Sequence, residues 1–109
     1  MAFNVTTGKP TITHDPEAIL DYGWDVAALI DPTDSVVSAT WHICIGNPGT
    51  TPTTGADIVP GPIVDNTVWG WLSISDLSLV GQTVAGTCQF VTAQGRTDDR
   101  TLYFKIAYR

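Results

Sequence analysis

The 109-residue sequence predicts an all-β domain of two packed antiparallel sheets. Three observations carry this reading. Five segments alternate apolar and polar residues with a period of two. No segment has the 3.6-residue apolar spacing of an amphipathic helix. Gly, Pro, Asp and Asn gather between the alternating segments, where chain reversals need them.

The length suits one hydrophobic core and is too short for two. Apolar residues make up 43% of the chain and charged residues 15%, the balance of a folding chain rather than a disordered one. Five basic against eleven acidic residues give a net charge of −6, so no clustered Lys and Arg can grip a phosphate backbone and nucleic acid is not an expected partner. The opening MAFNVTTGKP lacks the basic and apolar regions of a signal peptide. No run of about 18 apolar residues could span a bilayer. We therefore expect cytosolic synthesis with no membrane stage.

Residues 1–16 mix Thr, Gly and Pro with few core candidates and are expected to form an extended N-terminal arm, lying over another surface, with a neighbouring subunit as its partner. The single domain then occupies residues 17–109. Ala18, Leu20, Tyr22, Trp24 and Val26 alternate with Ile19, Asp21, Gly23 and Asp25 as a half-buried strand. Asp31-Pro32-Thr33-Asp34 supplies a turn, because Pro fixes φ and Asp side chains accept from nearby amides. In the next strand Val37, Ala39, Trp41, Ile43 and Ile45 share one face, which places Trp41 inward and His42 outward.

Residues 46–66, loaded with Gly, Pro and Thr, form a long contact-making loop. Within it Ile58, Val59, Ile63 and Val64 form at most short edge pairings, since Pro60 and Pro62 cannot donate to a ladder. From Thr67 to Ile74, Val68, Gly70, Leu72 and Ile74 oppose Trp69, Trp71 and Ser73. Residues 75–82 cross between sheets. Val84, Gly86, Cys88 and Phe90 then alternate with Ala85, Thr87, Gln89 and Val91. A turn at residues 93–96 leads to a last strand in which Leu102, Phe104, Ile106 and Tyr108 alternate with Thr101, Tyr103, Lys105 and Ala107. Short strands at this spacing without helices favour an immunoglobulin-like antiparallel β-sandwich.

Two stretches carry a family resemblance: His14-Asp15-Pro16-Glu17-Ala18-Ile19-Leu20-Asp21-Tyr22 with Trp24-Asp25, and Gly95-Arg96-Thr97-Asp98-Asp99-Arg100. With the middle element Val68-Trp69-Gly70-Trp71-Leu72, the chain from residue 14 to 109 resembles a family of small tailed-phage virion proteins. The middle element departs from that family by a two-residue insertion, residues 46–66 are longer, and Val84 stands where an aromatic residue often precedes the fourth strand. The resemblance implies an immunoglobulin-like sandwich within a phage particle, serving as a tail-fibre adaptor or a head or tail accessory protein.

Candidate sites follow from residue type. Cys44 and Cys88, the only cysteines, are too few for a zinc site by themselves. Their spacing fits an inter-sheet disulfide, but a reducing cytosol favours two buried free thiols, which we expect. His14 and His42 are expected on the surface, since neither is placed beside a nucleophile. Asp15, Asp21 and Asp25 read as solvated charge, or charge meeting a partner, rather than a calcium site, which needs closely spaced loop oxygens. Arg96, Asp98, Asp99 and Arg100 alternate in sign at a hairpin, where they fix the turn or contact a neighbouring subunit. Trp69 and Trp71 share a face and are either core or anchors of a protein interface.

No nucleophile with its base and no convergent carboxylates appear, so no catalytic residue, cofactor or metal is expected. The expected protein is a non-enzymatic virion component, assembled in the host cytoplasm, linking fibre or accessory proteins to the tail or neck. Its partners are other virion proteins and, within the particle, further copies of itself. The alternatives are a capsid-surface decoration protein, separable by copy number per particle, and an adhesion module binding sugar through Trp69 and Trp71.

Overall fold

The computed structural model describes residues 2–4, as backbone, and 11–108. Among these, nine strands run in chain order: β1 (Ala2–Asn4), β2 (Thr11–His14), β3 (Leu20–Asp25), β4 (Val36–Ile45), β5 (Thr51–Pro52), β6 (Ala56–Val64), β7 (Thr67–Ile74), β8 (Thr83–Thr92) and β9 (Thr97–Ile106). They form a sandwich of a four-stranded sheet, ordered β1-β3-β7-β6, and a five-stranded sheet, ordered β2-β9-β8-β4-β5. The expected two-sheet all-β plan is present. Its central pairings are antiparallel, while β1 runs parallel to β3 and β2 parallel to β9.

The N-terminal segment thus differs from a free arm over a neighbour. Its described parts, residues 2–4 and 11–14, lie along the edges of this chain's own two sheets. Residues 1 and 5–10 of that expected arm lie outside the described residues. The reason is visible at His14, which the sequence suggested was a surface residue but which is fully buried. Its Nε2 donates to the Ala18 carbonyl at 3.0 Å, a group that can only accept, and its Nδ1 is hydrogen-bonded to the Tyr22 hydroxyl at 2.8 Å. An imidazole with both nitrogens hydrogen-bonded is tolerated inside a core. It links β2 in one sheet to β3 in the other.

The inward positions follow the period of two. Tyr22, Trp24 and Val26 from β3 and its end, Val68 and Leu72 from β7, and Val84, Cys88, Phe90, Leu102, Phe104 and Ile106 from β8 and β9 fill the space between the sheets. Trp24 is completely buried, and its indole N–H donates across the core to the Gly86 carbonyl at 3.2 Å. Trp41 packs edge-on against Trp24, with ring centroids 6.0 Å apart. It is half-buried rather than fully enclosed, because β4 lies near the margin of its sheet.

Where a loop was expected over residues 46–66, the chain instead builds the nine-residue edge strand β6, entered through the two-residue β5. Pro60 and Pro62 do sit at the edge, beside an irregularity between Pro60 and Ile63 in the pairing with β7. The β6–β7 hairpin closes on Asp65-Asn66, both with positive φ (50° and 63°). Such a primed turn matches the twist of paired strands, and Asn and Asp tolerate it better than most residues. Asn66 also ties neighbouring segments together. Its carbonyl accepts from Val26 N–H at 3.1 Å and its side chain accepts from Val36 N–H at 3.0 Å.

Cys44 and Cys88 are both free and both buried. In the β4–β8 ladder Trp41 pairs with Cys88 and Cys44 with Ala85. Cys88 therefore shares the inward face of Trp41, while Cys44, three residues along, points to the other side of the sheet. A bond between them would have to pass through the sheet, which disulfide geometry forbids. Burial pushes the Cys88 thiol up to about 12.

Two outcomes follow. Iodoacetamide at pH 8 should leave Cys88 unmodified in the native protein and label both cysteines after denaturation, as read by mass spectrometry; rapid native labelling of Cys88 would contradict this burial. Gly70, whose added Cβ would stand 2.5 Å from Ile58 Cγ2 and 3.3 Å from the Trp41 ring, is required by close packing. Gly70→Ala should cost about 1–3 kcal/mol in denaturant unfolding, the usual range for overpacking.

Candidate functional site

The residues singled out from sequence fall into two separate groups. Trp69 and Trp71 stand on the outer face of the four-stranded sheet, and Arg96, Asp98, Asp99 and Arg100 belong to the β8–β9 hairpin of the five-stranded sheet.

The outward direction of the two tryptophans is set from inside. Val68, Gly70 and Leu72 are buried, and the space above Gly70 is taken by Ile58 and the Trp41 ring. With the even positions committed to the core, the alternation of the strand turns residues 69, 71 and 73 outward. Pairing then defines rows across this face. Trp71 lies between Asp21 of β3 and Val59 of β6, Trp69 lies opposite Gly23, and Thr67 lies between Asp25 and Val64. Trp71 is 43% exposed and Val59 53%, whereas Trp69 is half-buried. Gly61 approaches so closely that a Cβ there would be 3.2 Å from Trp69 Cβ. The glycines on either side give Trp69 a shallow trough, and the apolar surface continues to Val64 and toward Ile19.

Charge on this face has one sign. The strands β3, β6 and β7 carry Asp21, Asp25 and Asp57 and no Lys or Arg. The described basic residues, Arg96, Arg100 and Lys105, all belong to the hairpin and last strand of the other sheet.

At that hairpin, Gly95 takes φ +86° and the turn closes through Thr92 N–H to the Arg96 carbonyl at 2.8 Å and Arg96 N–H to the Thr92 hydroxyl at 3.1 Å. A buried carboxylate anchors it. Asp34 Oδ1 accepts from Ser35 N–H at 2.9 Å and Gln94 N–H at 3.0 Å, and its Oδ2 lies 3.7 Å from the Arg96 guanidinium. Desolvation alone would raise its pKa, but the Thr92 hydroxyl, the two amides and Arg96 together outweigh it and hold the carboxyl below its ordinary range. Arg96 is accordingly a structural partner as well as an exposed cation. Arg100 is bonded to Asp98 at 3.0 Å and to the Asp99 carbonyl at 2.6 Å, so these charges are largely spent on the strand itself.

Asp99 has a different setting. Together with Trp41, His42, Pro48, Pro52 and Thr87 it lines an open cleft of about 510 Å³ between the outer face of the five-stranded sheet and the β4–β5 connection. The sequence singled out neither this cleft nor Val59 as part of a site. The only hint was the density of Pro and Gly in residues 46–66. Among the described residues no group of three or more His, Cys, Asp or Glu converges as a metal site, and no helix is long and apolar enough to cross a membrane.

The model of a family described as the podophage GP4 fiber-tail adaptor protein gp77 matches residues 14–105. No curated protein and no solved structure matches the chain.

Asp34→Asn should lower the melting temperature at pH 7, because the neutral amide keeps the shape but loses the charge-assisted bonds. The sign of the pH dependence is fixed. A carboxyl held below 3.8 stabilises the fold above that pH, and the benefit is lost as pH falls through the folded value. Wild type and variant should therefore converge in acid, and a gap that persists there would show that Asp34 acts through shape alone.

Proposed function

We propose, for a chain that belongs to the podophage GP4 fiber-tail adaptor family, that it joins fibre to tail as a non-catalytic virion component, using two separate surfaces of one rigid sandwich. The match of the family model across residues 14–105 carries this reading. An adaptor must hold two partners at once, and the geometry supplies two candidate surfaces on opposite sheets.

The first surface is the outer face of the four-stranded sheet, centred on Trp69 and Trp71. Large aromatic rings that are already held by a rigid strand lose little freedom on binding, which is why they serve as interface anchors. Asp21, Asp25 and Asp57 around them favour a partner whose apolar patch is rimmed by Lys and Arg. Two copies placed face to face here would oppose like charges. The second surface is the β9 side of the other sheet, where Arg96, Asp98, Asp99 and Arg100 present both signs and fix register more than affinity. Partner contacts through these residues require neither cofactor nor metal, and the reading makes the protein a resident of the virion with other virion proteins as its partners.

The double variant Trp69→Ser/Trp71→Ser removes outward side chains only. It should retain the melting temperature of the parent to within a few degrees, yet fail to enter particles when supplied to a phage lacking the wild-type chain. Incorporation at wild-type level would remove this face from the adaptor reading. A copy number that matches the symmetry of the capsid rather than of the tail would favour the decoration role instead.

A further inference from the structure

An edge of the five-stranded sheet is left open in a way that the other long edge is not. β4 is ten residues long, yet β5 pairs only with Cys44 and Ile45, and Thr53 N–H reaches one residue further to the Ile43 carbonyl at 3.1 Å. In an antiparallel strand the N–H and C=O of one residue point the same way and alternate from residue to residue. The Ile43 carbonyl faces away from β8, so the backbone groups of Trp41 and Ala39 face the same open side. Gly46 N–H bonded to the Thr83 carbonyl of β8 confirms that the even residues face inward along the ladder. No described residue takes the outward N–H or C=O of Ala39 or Trp41.

The contrast with β6, the corresponding margin of the other sheet, is informative. β6 is guarded by Pro60, Pro62 and a register irregularity, the devices that prevent edge pairing. Residues 36–45 of β4 contain no Pro, no Lys and no other fixed charge. Beside this unguarded stretch lies the cleft that Trp41, His42, Pro48, Pro52 and Asp99 help to line.

We propose that the open edge of β4, at Ala39 and Trp41, receives an extended segment of a partner virion protein, which adds a strand in line with β5 and sets a side chain in the adjoining cleft. Backbone pairing supplies affinity in such strand addition, and the cleft supplies selectivity. The walls of Cys44, Pro48 and Pro52 suit an apolar side chain, and Asp99 at the same cleft suits a neighbouring Lys or Arg on the incoming segment. Another virion protein is favoured over a copy of this chain because each copy carries a net charge of −6, and like charges oppose association. The source of the strand rests on the adaptor reading, while the open edge does not.

The test compares hydrogen–deuterium exchange of residues 37–43 in the isolated protein and in purified particles. The proposal expects the Ala39 and Trp41 amides to exchange freely in isolation and at least about tenfold more slowly in the particle. Equal rates in a particle that contains the protein overturn it, whereas absence of the protein from particles overturns the adaptor reading itself. Protection that appears in the isolated protein as its concentration rises also overturns it, in favour of a second copy. Ala39→Pro adds a genetic arm. An outward N–H is dispensable to the fold, so the variant should melt near the parent but lose incorporation at least about tenfold; a well-folded Ala39→Pro that enters particles normally overturns the proposal. If that variant fails to fold, the exchange comparison decides.

Discussion

The arrangement of this domain depends on how two tryptophan rings bridge the gap between its sheets. Trp24, rooted in one sheet, must find an acceptor for its indole N–H once buried, and the acceptor is the Gly86 carbonyl in the other sheet. Gly86 makes this possible by having no side chain. A Cβ there would crowd Phe104 at 3.1 Å and Ile58 at 3.2 Å. The same device recurs at Gly70, which clears space for Ile58 and for Trp41, itself packed edge-on to Trp24. Sheet separation and lateral register are thereby fixed by rings set over glycines. The outward direction of Trp69 and Trp71 follows, because a strand whose even positions are committed inward has no freedom in its odd ones.

Apolar packing of this kind holds the middle of the sandwich, and the ends are tied by polar groups that each connect distant segments. His14 joins β2 to Tyr22, Asn66 joins the β6–β7 turn to the end of β3 and the start of β4, and Asp34 joins the turn after Asp31 to the β8–β9 hairpin. Each is a buried or half-buried group with named partners, and removal of one partner leaves the other unsatisfied. A rigid body of this sort suits an adaptor. Its two outer faces are thereby held in a fixed relation to each other. Segregation of charge adds direction, since the four-stranded sheet is acidic and every described Lys and Arg lies with β9 and its hairpin.

The charged hairpin shows that residues open to a partner can also hold the local structure. Arg96 and Arg100 read in sequence as charges that either fix the turn or contact a neighbouring subunit. In the folded chain Arg96 faces the Asp34 carboxylate, far back along the sequence in the turn before β4, and Arg100 folds onto its own strand. Exposed pairs of this kind contribute little stability, generally less than about 1 kcal/mol. They define the shape of the hairpin more than its energy. Asp99, by contrast, gains meaning only from the cleft it shares with β4 and the β4–β5 connection.

Alternation by itself determined that β3, β4, β7, β8 and β9 are strands and, for most of their length, which residues share a face; it failed at the start of β4, where an irregularity between Val36 and Ser38 buries Val36 and leaves Val37, expected on the Trp41 face, exposed. It also placed Pro60 and Pro62 at an edge. These are local properties, fixed by the two-residue period of an extended chain and by the missing N–H of proline. Which face of β7 is buried could not be read, because both faces are apolar, and only the packing of Ile58 and Trp41 over Gly70 decided it. His14 was misjudged for the same reason: a lone histidine carries no local mark of the Tyr22 hydroxyl that lies eight residues on and in the other sheet. The parallel pairing of β1 and β2, the length of β6, the separation of Cys44 from Cys88 by the sheet, and the open margin of β4 are likewise tertiary facts. Each depends on which strand comes to lie beside which, and that choice is made by long-range burial and pairing that no short window of sequence contains.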